Sequence, residues 1–137
     1  AQYTEVNETS TRTEKGNTYV LIDLDEQYVY LYQNGKCTVS GPCVSGNVYN
    51  GHRTRTGTYY IYSMDRNRYL TGADYKSWVN YFMPFYGGVG MHDASWRSTF
   101  GGTEYILNGS HGCINLSHGG AASVWSLVSV GTPVLIV

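Results

Sequence analysis

A single, mainly β domain with one helix late in the chain is what the sequence predicts, and three observations predict it. From Asn17 onward, β-branched and aromatic residues come in short runs separated by turn residues. Asn34-Gly35, the strongest turn dipeptide of the chain, joins two of those runs. Residues 118–130 depart from this texture, because Ala121, Val124, Trp125 and Val128 recur three and four apart on one face. A chain of 137 residues suffices for one hydrophobic core and is too short for two.

The elements follow in order. Residues 1–16 are rich in Thr, Glu and Asn and hold too few apolar side chains to offset their ordering entropy by burial, so they read as a linker or lead-in to a domain spanning 17–137. Residues 18–23 and 27–33 form a hairpin, the second run alternating Tyr28, Tyr30 and Tyr32 with Val29 and Leu31. Asn34-Gly35 leads into a third antiparallel strand over 36–45. Residues 46–57 are polar and Gly-rich, hence a loop, and 58–63 resumes the strand pattern. Residues 64–79 show no sustained period and read as a long, partly ordered excursion, of a kind that tends to be functional in compact domains. Short strands are expected over 79–84, 89–92 and 105–107, with turns at Gly87-Gly88 and Gly101-Gly102. Ser117 caps the helix of 118–130, Gly131 stops it, and Thr132-Pro133 leads into a last strand over 134–137.

Composition excludes several functions. The formal charge is −1 and Lys and Arg form no run, so the electrostatic footprint of a nucleic-acid binder is missing. The longest apolar stretches, 19–22 and 134–137, fall far short of the roughly 20 residues that cross a bilayer. Residue 1 is not Met and no targeting segment is visible, so either such a segment is removed or the chain is an excerpt. Three cysteines are too few for a disulfide scaffold, and no CxxC or HxxxH spacing marks a closed metal site. Cys37 and Cys43 lie in one predicted strand, about 20 Å apart at roughly 3.3 Å per residue. They are bridged only if Gly41-Pro42 folds the strand back, and are otherwise two small, half-buried hydrophobes.

Chemistry concentrates around Cys113. A nucleophilic cysteine needs a base, a group that orients the base, and donors for the oxyanion formed on attack. His111 and His92 are the nearest imidazoles upstream, Asp93 follows His92, and Gly112 lets a substrate approach the backbone beside the thiol. The N–H groups of Gly112 and Cys113 are both available to point at a carbonyl oxygen. A purely structural reading is also open to these residues: Gly109 and Gly112 serving a tight turn, His111 capping a carbonyl, Asn115 closing the turn.

The order of residues separates the two readings. His92, a gap of seventeen residues (93–109), then Ser110-His111-Gly112-Cys113-Ile114-Asn115 resembles the signature of the L,D-transpeptidase (YkuD-type) catalytic domain family. The likeness extends to the first hairpin, to Val44-Ser45-Gly46, to the Thr54–Thr58 element, to the Tyr81–Pro84 segment, to His92-Asp93-Ala94-Ser95-Trp96 and to Gly131-Thr132-Pro133-Val134, covering residues 18–137. Two features depart from the family pattern: Arg55 stands where a Pro is common, and Cys37 and Cys43 are extra.

The resemblance implies a β-sandwich of mixed strands with one short helix after the cysteine. It implies that Cys113 attacks the carbonyl of the third, L-configured residue of a peptidoglycan tetrapeptide stem, expels D-alanine, and passes the acyl group to an amine of a neighbouring stem, a 3-3 cross-link. His92 takes the place of the general base, oriented by the backbone carbonyl of Asp93, while His111 and Gly112 belong to the oxyanion pocket. Extended backbone supports this choice of base, since residues two apart diverge and His111 is poorly placed to take the Cys113 proton. Tyr75, Trp96, Ser110 and Asn115 are expected around the substrate. No cofactor or metal is implied. The expected partners are donor and acceptor stem peptides, with carbapenem-type β-lactams as covalent inhibitors, and the chain is expected to act as a monomer outside the cytoplasm, anchored or secreted. Alternatives are an L,D-carboxypeptidase using the same acyl-enzyme, and a non-catalytic cell-wall binding module.

Overall fold

A computed structural model describes residues 17–137, and the expected lead-in of residues 1–16 lies outside the described residues. Strands β1 (Thr18–Asp23), β2 (Tyr28–Gln33), β3 (Lys36–Pro42), β4 (Gly57–Tyr60) and β9 (Pro133–Ile136) build one sheet in the order β3-β2-β1-β9-β4. Strands β5 (Asp65–Thr71), β6 (Lys76–Tyr86), β7 (Val89–Asp93) and β8 (Ile114–Leu116) build the other, in the order β5-β6-β7-β8. Both sheets are mixed: β1–β9 and β7–β8 pair in parallel, the remaining neighbours antiparallel.

Alternation along the strands makes the core. Val20, Ile22, Val29 and Leu31 of the first sheet meet Met83, Phe85, Met91 and Ile114 of the second, and helix α2 (His118–Leu127) closes one end with Ala121, Val124 and the following Val128. Ser117 caps α2 by accepting from Gly120 N. The helix stops at Leu127, three residues before its expected end, and Gly131 serves the next turn with φ +98° and an N–H bonded to the Ile61 carbonyl. The outer face of the first sheet carries a second cluster of Tyr19, Leu21 and Leu135, with Tyr19 stacked on Tyr32 at 5.0 Å.

The predicted third strand ends at Pro42 rather than at 45. Beyond it the chain leaves the first sheet and crosses to the second: Val44 exchanges backbone bonds with Asn115 at 2.9 and 2.8 Å, and Gly46 bridges Ser110. This crossing brings the 110–115 segment into register beside β7. It depends on glycine, because a Cβ at Gly109 would stand 2.5 Å from Asn47 Cα and from the Tyr105 carbonyl oxygen.

Two expectations fail. Residues 64–79 are no loose excursion but most of a hairpin, in which β5 pairs with the eleven-residue β6. The pattern hid it because most of the hairpin's outer half is exposed on both faces, so no alternation of apolar and polar residues is demanded. Cross-strand pairs hold it instead: Tyr69 lies edge-on to Trp78 at 5.0 Å, and Lys76 sits over the Tyr69 ring and Arg66 over Tyr81 at 4.4 Å, while within β5 Arg68 pairs with Asp65 at 2.9 Å. The short strand expected over 105–107 is a second helix, α1 (Glu104–Asn108), so the domain has more than one. Its apolar residues are not buried; its carbonyls face the neighbouring loop, Tyr105 and Ile106 accepting from Val48 N and Tyr49 N and Leu107 from Asn47 Nδ2. A three-residue apolar run carries no period that distinguishes such a turn from a strand.

Cys37 is exposed on β3, Cys43 is fully buried, and both are free thiols. Neither is half-buried. Burial, with Asp23 nearby, pushes the Cys43 thiol up to about 12. Among the described residues no helix is long and apolar enough to cross a membrane.

Candidate active site

The site is built on the parallel pair β7–β8, whose register sets Met91 opposite Ile114 and His92 opposite Asn115. Met91 and Ile114 turn into the core, so His92 and Asn115 turn to the other face, and Cys113, two residues before Asn115, falls on that face as well. A cavity of about 480 Å³ opens there, with Cys113, His92 and Asn115 in its wall beside Tyr75, Trp96, Ser110 and His111. Seven of the nine residues singled out in the sequence therefore share one cavity. Gly112 lines a separate hollow of about 230 Å³ with His52 and Arg55, and Asp93 lines neither.

His92 is buried, flanked by the rings of Trp96 at 5.9 Å and Phe82 at 6.2 Å. Its Nδ1 is 2.7 Å from the carbonyl oxygen of Asp93, which only accepts, so Nδ1 carries the proton and Nε2 the lone pair. Burial lowers the pKa of His92, and the Arg97 charge adds to this, against the raising influence of the Asp93 carbonyl and carboxylate. That carboxylate is itself engaged elsewhere: it accepts from Asn80 N at 2.9 and 3.2 Å and from Tyr81 N at 2.8 Å, tying β7 to β6.

Cys113 is partly accessible. Burial raises the pKa of its thiol, partly opposed by a hydrogen bond from the Gly90 backbone, and Sγ lies 3.5 Å from the Gly88 carbonyl oxygen. The turn beneath it is braced by two hydroxyls. Ser110 Oγ accepts from Gly112 N at 3.0 Å and donates to the Cys113 carbonyl at 2.5 Å, while Thr54 Oγ1 donates to the Gly112 carbonyl at 2.7 Å. The expectation that the Gly112 N–H points at a substrate carbonyl is thus corrected: with φ at +130°, Gly112 turns its N–H to Ser110 Oγ.

The His111 ring, in the cavity wall, is engaged with its neighbours. It is exposed, stacks on Tyr75 with centroids 4.5 Å apart, approaches His52 at 4.9 Å, and sets Nε2 3.9 Å from Asp74 in the turn between β5 and β6. Burial and the neighbouring Cys113 and Asp74 charges raise the pKa of Tyr75.

Sequence reasoning missed Arg97 and Thr54. Arg97 is half-buried at the cavity wall and donates from Nη1 to the Asn108 carbonyl at 2.6 Å. With the Asn115 amide turned so that both its ends are satisfied, Arg97 Nε and Nη2 donate to its oxygen at 2.8 and 3.3 Å, and its nitrogen donates to His92 Nε2 at 3.1 Å. No spacing in the chain announces this contact. Thr54 was visible only as part of a Thr-rich element. Among the described residues no group of three or more His, Cys, Asp and Glu side chains is placed to hold a metal ion.

Comparison with known proteins finds similarity to one family. A family model described as YkuD, the L,D-transpeptidase catalytic domain, matches residues 17–136. The chain is similar to a crystallised cysteine-to-serine mutant of Enterococcus faecium L,D-transpeptidase, with 35% identity over 88% of this chain and 49% of that one and a TM-score of 0.83. It is similar to the catalytic domain of the E. faecium enzyme acylated by ertapenem, with 35% identity over 88% of this chain and 96% of that one and a TM-score of 0.78. An L,D-transpeptidase from Mycobacterium smegmatis follows at 26% identity over 88% of this chain and 58% of that one, with a TM-score of 0.75. The chain spans about half the length of the crystallised enterococcal enzyme. No curated protein sequence matches it.

Proposed function

We propose, for a chain that belongs to the YkuD family of L,D-transpeptidase catalytic domains, that Cys113 is the nucleophile of peptidoglycan cross-linking and His92 its base. The observation that supports this reading is the convergence of Cys113 and His92 on one face of β7–β8, in one cavity, with His92 Nδ1 tied to a carbonyl, which leaves the lone pair on Nε2, where the Asn115 amide nitrogen donates at 3.1 Å.

In the proposed reaction the Cys113 thiol displaces the Asn115 amide N–H from His92 Nε2 and gives its proton to that nitrogen as Sγ bonds to the carbonyl carbon of the third stem residue. The Cys113 N–H supports the oxyanion. On collapse the C–N bond to the terminal D-alanine breaks, the imidazolium returns the proton to the departing amine, and a thioester remains. An amine of a second stem then attacks the thioester carbon, surrenders a proton to His92, and expels the thiolate, which recovers it. Asp93 acts through its backbone carbonyl, holding the imidazole tautomer. Its carboxylate, bonded to two β6 amides, is structural.

Neutral groups suit this sequence, because burial favours both the uncharged imidazole and the uncharged thiol before substrate arrives. Tyr75 and Trp96, which both line the cavity, supply apolar wall for the stem, and Ser110 keeps the Cys113 turn rigid. The ertapenem adduct of the enterococcal domain favours a β-lactam carbonyl as a second electrophile for Cys113, with the ring C–N bond breaking in place of the peptide bond.

The test is incubation with tetrapeptide muropeptides followed by mass spectrometry. Cross-linked dimers, released D-alanine and a tripeptide-stem adduct on Cys113 are expected, all lost in Cys113→Ala. Intact substrate with the wild-type protein would overturn the reading. Hydrolysis that added amine acceptor never diverts would replace it by a carboxypeptidase.

A further inference from the structure

Arg97 and His92 touch opposite ends of one buried amide. A guanidinium offers only donors, so the Asn115 atom facing Arg97 Nε and Nη2 at 2.8 and 3.3 Å must be oxygen. The amide nitrogen then faces His92 Nε2 at 3.1 Å, and because that nitrogen only donates, Nε2 must be the unprotonated one. Asp93 reaches the same result from the other side, since its carbonyl at 2.7 Å requires a proton on Nδ1. A third bond, from Arg97 Nη1 to the Asn108 carbonyl at 2.6 Å, anchors the guanidinium to the end of α1.

We propose that Arg97 is a positioning residue for the base: by fixing the orientation of the Asn115 amide it holds His92 in the neutral, Nδ1-protonated form with Nε2 as acceptor. The proposal rests on the reading of His92 as the base. It gives the Asn of the signature a definite task, the transmission of a donor pattern from a cation that does not itself bond the imidazole.

The surroundings of His92 leave this arrangement as the selective one. From β6 it meets Phe82, and the Asp93 carboxylate is bonded to the Asn80 and Tyr81 amides. From β5, Arg68 lines the cavity but is paired with Asp65 at 2.9 Å. Asp74 stands beside His111 in the β5–β6 turn, Tyr75 and the Cys113 thiol line the cavity, and Glu104 of α1 acts on Arg97. Burial and Arg97 oppose the imidazolium, and Asp93 favours it.

Without Arg97 the amide oxygen loses its donors. The amide is then free to turn its oxygen toward Nε2, where it stabilises a protonated ring, and the loss of the neighbouring positive charge acts in the same direction. The His92 pKa rises. More of the base is protonated at a given pH below the limb, so activity is lost there and recovered where His92 is neutral again.

The test has two readouts. The first is the pH dependence of kcat/KM, or of the second-order rate of carbapenem acylation, for wild type, Arg97→Met and Arg97→Lys. The acid limb should move upward by about one pH unit in Arg97→Met, with the rates converging at high pH, and by less in Arg97→Lys, which keeps a cation and a donor. A loss in Arg97→Met that is the same at every pH, with the limb unmoved, would overturn the proposal in favour of a merely structural arginine. The second readout is nitrogen NMR of the histidine rings, without substrate. Wild-type His92 should show a protonated Nδ1 and a bare Nε2 through neutral pH, and a proton found on Nε2 would overturn the proposal. Should Arg97→Met fail to fold, the wild-type spectrum and the Arg97→Lys profile decide. A correct tautomer in a protein that forms no acyl-enzyme would count against the catalytic reading alone.

Discussion

The β7–β8 pair and the β5–β6 hairpin face the same cavity and are made on opposite principles. Four of the five β7 residues and all three of β8 are buried; they are short, parallel and hydrogen-bonded on every side, down to the Asp93 carboxylate that accepts from β6. The outer half of the hairpin is mostly exposed and is held by ring and cation pairs along its surface. The difference teaches where each task belongs. Proton transfer needs groups held to a fraction of an ångström, which a buried ladder provides. A wall that admits a peptide stem and lets it go needs side chains that can shift, and exposed cross-strand pairs, each worth about 0.2–1 kcal/mol, permit that.

The largest expected effect lies at the buried end. Cys113→Ala should remove acyl transfer altogether, seen as loss of both the thioester and the dimer by mass spectrometry; residual dimer formation at the wild-type rate would mean that another residue is the nucleophile. His92→Ala comes next, with acylation slowed by about 10²–10⁴-fold, whereas His52→Ala, in the neighbouring hollow, should change it little. Equal losses would refute the choice of base. The pH profile sharpens the same point: the folded-state pKa of His92 is lowered, so the base stays neutral below the ordinary histidine value, and the acid limb of kcat/KM should fall below that value. A limb at or above it would contradict the burial of His92.

Asp93→Ala should act on stability more than on chemistry. It leaves the backbone carbonyl that holds Nδ1 but strips the β6 amides of Asn80 and Tyr81 of their acceptor, at a cost of about 2–3 kcal/mol in denaturant unfolding. If the fold is unmoved and kcat collapses, the carboxylate belongs to the catalytic machinery after all. The smallest effect is expected on the exposed side, where Tyr75→Ala should raise KM several-fold and leave kcat within about threefold, because it removes a binding wall and its stack on His111. A loss confined to kcat would move Tyr75 to the chemical step.

Much of this was legible in the chain. The first hairpin, the Asn34-Gly35 turn and the Ser117 cap follow local rules that act within a few residues, and each appears in the structure where expected. The outer half of the β5–β6 hairpin was not legible, because strand residues exposed on both faces need no period of two, and its pairs join residues such as Tyr69 and Trp78 that only register brings together. Nor was α1, whose carbonyls are claimed by a loop more than fifty residues away.

For the site, the sequence alone determined the inventory. The signature and its gap singled out a thiol, an imidazole and a polar rim, because those residue types carry the reactivity wherever they are placed. Only the tertiary structure decided their partners. The Gly112 N–H bonded Ser110, His111 stacked on Tyr75, and Arg97 reached His92 through Asn115, contacts made when the chain crosses from the first sheet to the second and Val44 pairs with Asn115. Hydrogen bonds are set by distances between groups that folding brings together, and spacing along the chain does not encode them.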